Sequence, residues 1–249
     1  MRVNLVCFAR ARTMVCTMTI GMMAVMALVF AMPAQAAILS HIGTNAPAVE
    51  GWVPNDDPFL GGNSANVAPD ITPSWQIQDV STSQSAWYGN TFAVGDLPVG
   101  SPWVQTVEVR VDSSSGASAA FSFVHDGSTL FQFFFTTGEL RYFDTGAGSA
   151  FLLNADNSTD FRTYEFAYDP VNDEIDISLD SVYQTSLASS AFFAFATTPG
   201  QGFGAPASSN TSDSRWAQVS FNVVPEPGTF AMLMGGGLGM LFLRKRRRA

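Results

Sequence analysis

Apolar and polar residues alternate with a period of two along much of the middle of this 249-residue chain. In one segment Val107, Val109 and Val111 alternate with threonine, glutamate and arginine. Successive side chains of a β-strand point to opposite faces, so this alternation is typical of a strand with one buried face. Similar segments occupy residues 164–168, 175–179 and 217–221. Helical periodicity is not evident between the two ends of the chain, and the pattern predicts an all-β domain.

Other local signals agree with this class of fold. Residues 130–135 are apolar on both faces, which predicts a strand near the centre of a sandwich. Residues 37–73 are rich in proline, glycine and asparagine, so loops with short edge strands are expected there. Turn-forming residues separate the strands at 125–127, 137–138, 144–146 and 169–170. Many short antiparallel strands over residues 37–223 predict a two-sheet antiparallel β-sandwich of the jelly-roll type.

The predicted domain is strongly acidic. Residues 37–224 contain four arginines, no lysine and 20 of the 21 acidic residues, a net charge of −16. Such a surface repels phosphate backbones and anionic lipids, so we expect no nucleic-acid partner, whereas cations and neutral sugars remain compatible with it. Both cysteines, Cys7 and Cys16, lie near the N-terminus. Disulfide, zinc-thiolate and cysteine-nucleophile chemistry are therefore excluded for the domain.

The N-terminus has the three-part order of a secretory signal peptide. Arginines at positions 2, 10 and 12 precede an apolar segment from about residue 15 to residue 32, which Pro33 ends. Ala34 and Ala36 form an A-x-A site, so we expect signal peptidase to cut between Ala36 and Ala37. Residues 1–36 are therefore predicted to be a signal peptide with an apolar helix. The alternative is an uncleaved membrane anchor, because the apolar segment is about 18 residues long.

The C-terminus combines a proline-bracketed glutamate, a short apolar run and a basic cluster. Val224, Pro225, Glu226 and Pro227 are followed by about 15 apolar residues, which span about 22 Å as a helix and fall short of a hydrocarbon core of about 30 Å. The basic cluster should stay cytoplasmic, which places the domain outside the inner membrane. The cluster consists of Arg244, Lys245, Arg246, Arg247 and Arg248.

This order of features over residues 224–249 resembles the PEP-CTERM sorting signal of bacteria that secrete polysaccharide. The resemblance implies a short transmembrane helix that an exosortase-type membrane protease recognises and removes. It also implies an inner-membrane-anchored precursor that passes to the cell surface or the extracellular matrix. An ordinary short membrane anchor with a chance Pro-Glu-Pro is the alternative.

Pieces of the predicted domain resemble the concanavalin-A-like and laminin-G-like superfamily of lectins and glucanases. The matching pieces are residues 73–77, 87–88, 162–170, 175–180 and 202–204. This resemblance implies a jelly-roll domain with a lectin-like fold. Asp180 and Ser181 stand where that superfamily often has Asp-Gly after its middle strand.

Residues 174–180 resemble the E-x-D-x-E strand of jelly-roll glucanases. Retaining glycosidases need two carboxylates about 5 Å apart, which alternate residues of one strand can provide. Here Glu174 and Asp176 are present, but Ser178 occupies the position of the second glutamate, and Asp180 lies about 20 Å from Glu174 along the strand. The second glutamate of the required pair is missing, so we predict a non-catalytic protein with no catalytic residues. A degenerate glycoside hydrolase is the alternative.

Imidazole and oxygen ligands are sparse. His41 and His125 are the only histidines, and His125 precedes a predicted hairpin turn, where a solvated turn residue is expected rather than a general base. No histidine metal site is expected. The oxygen-rich segments 154–157 and 169–173 could hold calcium, although aspartate and asparagine are also ordinary turn residues. No other cofactor is predicted.

Exposed aromatic side chains would be the signal for sugar binding, because the face of a pyranose ring stacks on indole or phenol rings. The candidates are Trp52, Trp87, Tyr88 and Trp216, with burial in the core as the alternative for each. The alternation of the last strand places Trp216 opposite Ala217, Val219 and Phe221. The sequence thus predicts an exported, non-catalytic surface or matrix protein that binds extracellular polysaccharide, or else a structural matrix component without a ligand.

Overall fold

The computed structural model describes residues 39–55, 62–68, 72–93, 95–98, 100–146, 148–194, 197–206 and 209–224. Within them the chain forms sixteen β-strands and the short 3-10 helices Pro47–Glu50 and Ser189–Ala191. The strands in chain order are β1 (Leu39–Ile42), β2 (Val53–Asn55), β3 (Ser64–Val67), β4 (Trp75–Asp79), β5 (Ala86–Thr91), β6 (Trp103–Ser114), β7 (Ala120–His125), β8 (Thr129–Phe135), β9 (Glu139–Asp144), β10 (Gly148–Asn154), β11 (Arg162–Asp169), β12 (Glu174–Leu179), β13 (Val182–Ala188), β14 (Phe193–Ala194), β15 (Gly200–Ala205) and β16 (Ser212–Val223).

These strands form two antiparallel sheets of eight strands each. Sheet A has the order β13-β12-β11-β6-β16-β4-β3, with β1 also paired to β16. Sheet B has the order β10-β9-β8-β7-β15-β5-β2, with β14 also paired to β8. The predicted antiparallel two-sheet sandwich is confirmed. The predicted signal and transmembrane helices lie outside the described residues, within which no helix is long and apolar enough to cross a membrane.

Aromatic rings from both sheets form the centre of the core. Phe133 of β8 stacks on Phe166 of β11 with ring centroids 3.8 Å apart. Phe203 of β15 packs against Trp216 of β16 with centroids 5.1 Å apart. Each pair joins one sheet to the other, and burying such a ring contributes about 1.5–3 kcal/mol because its apolar surface leaves water.

The period-two pattern determines which side chains the sheets bury. Val107, Val109 and Val111 of β6 are buried, whereas the residues between them are partly exposed. The predicted central strand at residues 130–135 is β8, which lies inside sheet B. Between residues 39 and 73 the described part of the chain forms the short strands β1, β2 and β3, as the prolines and glycines predict.

The expected orientation of Trp216 is wrong, because β16 contains a β-bulge. The pairing of β16 with β6 shifts register between Trp216 and Gln218. A bulge adds one residue to a strand, so the alternation of faces changes there. Trp216, Val219 and Phe221 are therefore all buried in the core, and Gln218 is exposed. A strict period of two cannot predict this orientation, since it assumes an uninterrupted ladder.

The turn from β12 to β13 has the backbone conformation that Asp-Gly would favour. Asp180 has φ of 51° and Ser181 has φ of 67°. Two central residues with positive φ define a type I′ turn, whose twist matches that of a hairpin. Asp180 also accepts a hydrogen bond from Thr163 N at 3.1 Å and contacts Arg162 at 2.9 Å. These contacts hold the turn although glycine is missing.

The last strand of the described residues, β16, lies inside sheet A. One edge of β16 pairs with β6, and the opposite edge pairs with β4 over residues 212–216 and with β1 over residues 218–221. In this arrangement Leu39 lies opposite Phe221. The first and last strands of the domain are therefore direct neighbours.

A buried carboxyl group lies at the end of β4. Asp79 is 1% exposed, and its Oδ1 accepts a hydrogen bond from Ser81 N at 3.1 Å. Burial raises the pKa of Asp79 from 3.8 to about 6, because the ionised form loses its hydration. The neighbouring Asn63 Oδ1 accepts hydrogen bonds from Val80 N and Ser81 N at 2.9 and 3.0 Å, which fixes the backbone after the strand.

We expect Asp79→Asn to stabilise the protein at neutral pH. A carboxyl group whose pKa is higher in the folded state makes its greatest contribution to stability below the unfolded pKa, and this contribution is lost as the pH rises through about 6. The gain in the free energy of unfolding should be about 2 kcal/mol larger at pH ~7.5 than at pH ~4. Urea unfolding at both pH values measures it. The exposed Asp160→Asn is the control, and equal gains at both pH values would contradict the expectation.

Candidate functional site

A groove of about 770 Å³ lies on the outer face of sheet B. Phe131 and Phe133 of β8 point into the core, whereas the alternate residues Leu130 and Gln132 line the groove. The described residues that line it are Val53, Pro54, Ser85, Trp87, Gly89, Asn90, Thr91, Phe121, Phe123, His125, Leu130, Gln132, Thr197, Thr198, Gly200, Gln201 and Pro206. Its volume lies within the range of typical ligand sites.

The groove exists because β15 has no side chains on its outer face. Phe203 is buried in the core, and the alternating residues Gly200, Gly202 and Gly204 face outward. A methyl group at Gly202 would overlap the ring of Phe123 and lie 2.9 Å from a backbone carbonyl oxygen. The glycine strip therefore lets aromatic rings of the neighbouring strands lie directly against the sheet.

Three aromatic rings form the floor and one wall of the groove. Trp87 of β5 meets Phe121 and Phe123 of β7 edge to face, with centroids 5.9 and 5.5 Å away. Phe121 and Phe123 stack on each other at 5.9 Å. The indole of Trp87 is partly exposed, and it lies over Gly89, where a methyl group would come within 2.6 Å of Cζ3. Ring packing fixes the indole while one part of it stays accessible.

The polar groups of the groove are uncharged apart from the one titratable imidazole. The described lining residues include asparagine, glutamine, serine and threonine, but no aspartate, glutamate, lysine or arginine. Asn90 Nδ2 donates to Gly51 O at 2.9 Å, which fixes one amide at the edge of the groove. Amides and hydroxyls beside an aromatic floor can bind a ligand that has hydroxyl groups and an apolar face.

The predicted solvated position of His125 is wrong. The side chain is buried at the end of β7, where it lines the groove. Its Nδ1 accepts a hydrogen bond from Gly127 N at 3.0 Å, within the turn that the sequence predicts. Phe121, Phe123 and His125 are alternate residues of β7 and point to the same outer face of sheet B. The imidazole therefore lies in the groove rather than in solvent.

Three of the four aromatic candidates for sugar stacking are buried, and for these three the expected role is wrong. Trp52, Tyr88 and Trp216 all pack against Phe203, with ring centroids at 4.9, 5.8 and 5.1 Å. Tyr88 follows Trp87 in β5 and so points to the opposite, inner face. The bulge turns Trp216 inward. Of the four, Trp87 lines the groove, and its role in binding stays a prediction.

The glucanase-like strand lies far from this arrangement, in sheet A. Glu174 and Asp176 are partly exposed on β12, and Ser186 Oγ donates to Glu174 at 3.0 Å. Burial, with smaller effects of Glu174 and Asp169, raises the pKa of Asp176. Asp180 lies in the following turn. Since the groove belongs to the other sheet, none of these carboxylates lines it.

In the two segments considered for calcium, the carboxylates of Asp156 and Asp169 already accept hydrogen bonds within the protein. Asp156 accepts hydrogen bonds from Ser158 and Thr159, and Asp169 accepts them from Val171 N and Asn172 Nδ2. Asn157 is buried. Among the described residues, no three histidine, cysteine, aspartate or glutamate side chains are grouped to hold a metal ion. Calcium binding stays a prediction.

His41 has a structural position. Its ring is buried, stacks on Phe203 at 5.1 Å and contacts Glu50 through Nδ1 at 2.7 Å. Burial lowers the pKa of His41 despite the carboxylate, which favours the neutral ring. This pair joins β1 to the helix Pro47–Glu50, and it lies apart from the residues that line the groove.

The residues of the two predicted processing sites lie mostly outside the described part of the chain. Ala34, Ala36 and Ala37 precede it, and the motif from Pro225 onward and the basic cluster follow it. Val224 is described, and its N–H donates to Pro102 O at 2.8 Å. The predicted domain boundaries at 36/37 and 223/224 stay predictions.

Sequence reasoning missed Phe121, Phe123 and the role of the β15 glycines. The alternation Gly200, Gly202, Gly204 could have indicated a strand with one bare face, because glycine in a strand often marks a close approach. The two phenylalanines carry no comparable signal, since the chain has 21 phenylalanines and most must pack in the core.

Comparison with solved structures places the domain among jelly-roll β-sandwiches. A carbohydrate esterase from Shiga toxin-encoding bacteriophage phi24B is 13% identical, with a TM-score of 0.57 over 77% of this chain and 100% of that one. The binding domain of Paraclostridial Mosquitocidal Protein 1 is 8% identical, with a TM-score of 0.50 over 80% of this chain and 51% of that one. Identities this low show the fold alone. The comparison with curated proteins gives no significant match.

The C-terminal end of the chain matches a sorting signal. Residues 223–248 match the family of the PEP-CTERM protein-sorting motif, which confirms the resemblance found in the sequence. The chain therefore has a PEP-CTERM motif, and this motif implies an exported protein that exosortase-type machinery processes.

Proposed function

We propose that this protein is a non-catalytic surface or extracellular-matrix protein whose sandwich domain binds neutral glycan in the groove on sheet B. The observation that carries the proposal is a groove with Trp87, Phe121 and Phe123 as its floor and one wall and with no carboxylate, lysine or arginine among its described lining residues. An aromatic floor suits the apolar face of a sugar ring, and the surrounding amides and hydroxyls suit its hydroxyl groups. After signal peptidase and an exosortase-type protease have acted, the domain would remain with extracellular polysaccharide.

Charge limits the class of glycan. The predicted domain has a net charge of −16, and the described lining residues contain no arginine or lysine to pair with a carboxylate, sulfate or phosphate. An anionic polymer would meet long-range repulsion without a local ion pair to offset it. A neutral polysaccharide avoids both costs, which is why we choose it as the ligand class.

The likeness to a carbohydrate esterase adds only context. That neighbour acts on carbohydrate by its description, but at 13% identity the likeness concerns the fold. The proposal therefore depends on the groove itself.

We expect Trp87→Ala to weaken glycan binding by at least about tenfold, because a central aromatic residue in a partly desolvated site often dominates the binding energy. Affinity electrophoresis of the purified exported protein in gels containing neutral polysaccharides measures the change. Tyr183→Ala is the matched control, since Tyr183 is 60% exposed on β13 in the other sheet. Retardation of wild type and Trp87→Ala to the same extent, or of neither protein, would contradict the proposal.

The alternative is a glycoside hydrolase that uses the acidic residues of β12. Glu174 and Asp176 share one face of the strand, and burial raises the pKa of Asp176, as a general acid would need, although Ser178 stands in the place of the second glutamate. The described cavity lies on the other sheet, however, which favours binding without catalysis. The same polysaccharides, assayed for new reducing ends, separate the two: release that Asp176→Asn abolishes would support the hydrolase.

A further inference from the structure

A second group of aromatic side chains lies on the outer face of sheet B, beyond the groove. Phe193 of β14 and Phe143 of β9 meet edge to face with centroids 6.1 Å apart, and Phe134 of β8 lies 6.4 Å from Phe143. Phe193 is 41% exposed, and Phe151 on β10 is 50% exposed. We call Phe134, Phe143, Phe151 and Phe193 the outer patch. Phe134 itself is buried, whereas Phe151 and Phe193 are exposed on the same face of the sheet, and an apolar patch of this kind on a protein surface indicates a contact site.

The outer patch continues the groove. Phe193 lies opposite Leu130 of β8, which is a lining residue of the groove and lies opposite His125 of β7. His125 in turn lies opposite Gly200, and Gly200 lies opposite Thr91. One register row therefore crosses the face from Thr91 to Phe193 through five strands. With a spacing of about 4.8 Å between strands, this row is about 19 Å long.

The arginine next to the outer patch has its partners within the protein. Arg141 is the arginine nearest to these rings in the register, opposite both Phe134 and Phe151. Its guanidinium contacts Glu139 at 2.7 Å and donates to Ser149 Oγ and Ser149 O at 3.0 and 2.9 Å. A charged partner would have to compete with these contacts, whereas an uncharged one would not.

We propose that the groove and the outer patch form one track across the strands, and that its ligand is an extended neutral polysaccharide chain rather than a mono- or disaccharide. This inference rests on the proposed glycan binding and adds the length of the ligand to it. A short sugar can make all its contacts in the groove at Trp87. The outer patch therefore contributes binding energy only to a ligand that extends past Leu130. We choose an extended, uncharged ligand because the register row is continuous from the groove to Phe193 and because the guanidinium of Arg141 already has partners within the protein.

The test is isothermal titration of the full exported protein with cello- and laminari-oligosaccharides, from the disaccharide to the hexasaccharide. For wild type we expect the affinity to rise at least about fivefold with length, as one added ring contact would give. Phe193→Ala and Phe143→Ala should abolish this rise and leave disaccharide affinity unchanged, whereas Trp87→Ala should weaken both. Tyr183→Ala is the control on the other sheet, and thermal unfolding of each variant checks folding.

The outcomes separate the two proposals. If wild type binds no member of either series, the proposed glycan binding itself fails. If wild type binds but hexasaccharide and disaccharide bind equally, or if both outer-patch variants keep the rise with length, only the extended track is overturned. Sedimentation of wild type and Phe193→Ala covers the competing occupant: a dimer that the substitution dissociates would assign the outer patch to a second copy of the chain and overturn the inference.

Discussion

Replacement of Asn157 by alanine should lower the free energy of unfolding by about 3 kcal/mol, because two buried polar groups would lose their partners. Asn157 is fully buried between the sheets. Its Nδ2 donates to Thr136 O at 2.8 Å, and its Oδ1 accepts from Tyr164 Oη at 2.7 Å. Its backbone also bonds to Thr137 O and Val111 N, at 3.0 and 2.9 Å, and these bonds can survive the substitution.

Urea unfolding of a double-mutant cycle measures this contribution. Tyr164→Phe removes the hydroxyl that Asn157 accepts from, so the double variant should be less destabilised than the sum of the two single variants. Asn154→Ala is the control, since Asn154 is exposed three residues earlier. A loss for Asn157→Ala equal to that of Asn154→Ala, or strict additivity with Tyr164→Phe, would show that the buried bonds contribute little.

Gly202→Leu should abolish glycan binding, reducing the affinity by at least about a hundredfold, because it fills the groove and displaces Phe123. Even a methyl group at this position overlaps the Phe123 ring and approaches the Tyr88 carbonyl oxygen to 2.9 Å. The substitution should also destabilise the domain by about 1–3 kcal/mol, since β15 lies inside sheet B.

Two further variants separate binding from folding. Gly202→Ala moves the ring with less bulk, so an intermediate loss of affinity is expected from a protein that still unfolds cooperatively. Gly138→Ala is the matched control, because a methyl group there meets no atom within 4 Å. Both are measured by affinity electrophoresis and thermal unfolding. Wild-type affinity in folded Gly202→Ala and Gly202→Leu would place the glycan elsewhere.

The sequence predicts the sandwich because alternation along each strand is a local property. The valines of β6 and the apolar run of β8 reach their expected faces without any information about neighbours. Trp216 does not, because a β-bulge depends on the pairing partner rather than on the strand's own pattern. Local periodicity thus predicts the class of fold. It does not predict the orientation of individual side chains where one of two paired strands has an extra residue.

The candidate site was harder to predict for a related reason. Of four aromatic candidates, the structure places three in the core, and the sequence alone could not distinguish these three from Trp87. What makes the groove is a relation between strands: bare glycines on β15 lie between the indole of β5 and the phenylalanines of β7. Pairs that are distant in sequence create this relation, so no single segment reveals it. The sorting motif, in contrast, is a contiguous segment and could be found directly.

The position of β16 also determines when, during synthesis, the domain can complete its fold. A chain that leaves the ribosome from its N-terminus cannot complete sheet A until this strand has been made, because β1 and one edge each of β6 and β4 pair with it. Residues 223–248, which match the sorting motif, begin at its last residue. The sorting address is therefore synthesised directly after the strand that makes a complete domain possible, and any chain truncated before β16 lacks both the finished fold and the means of being sorted.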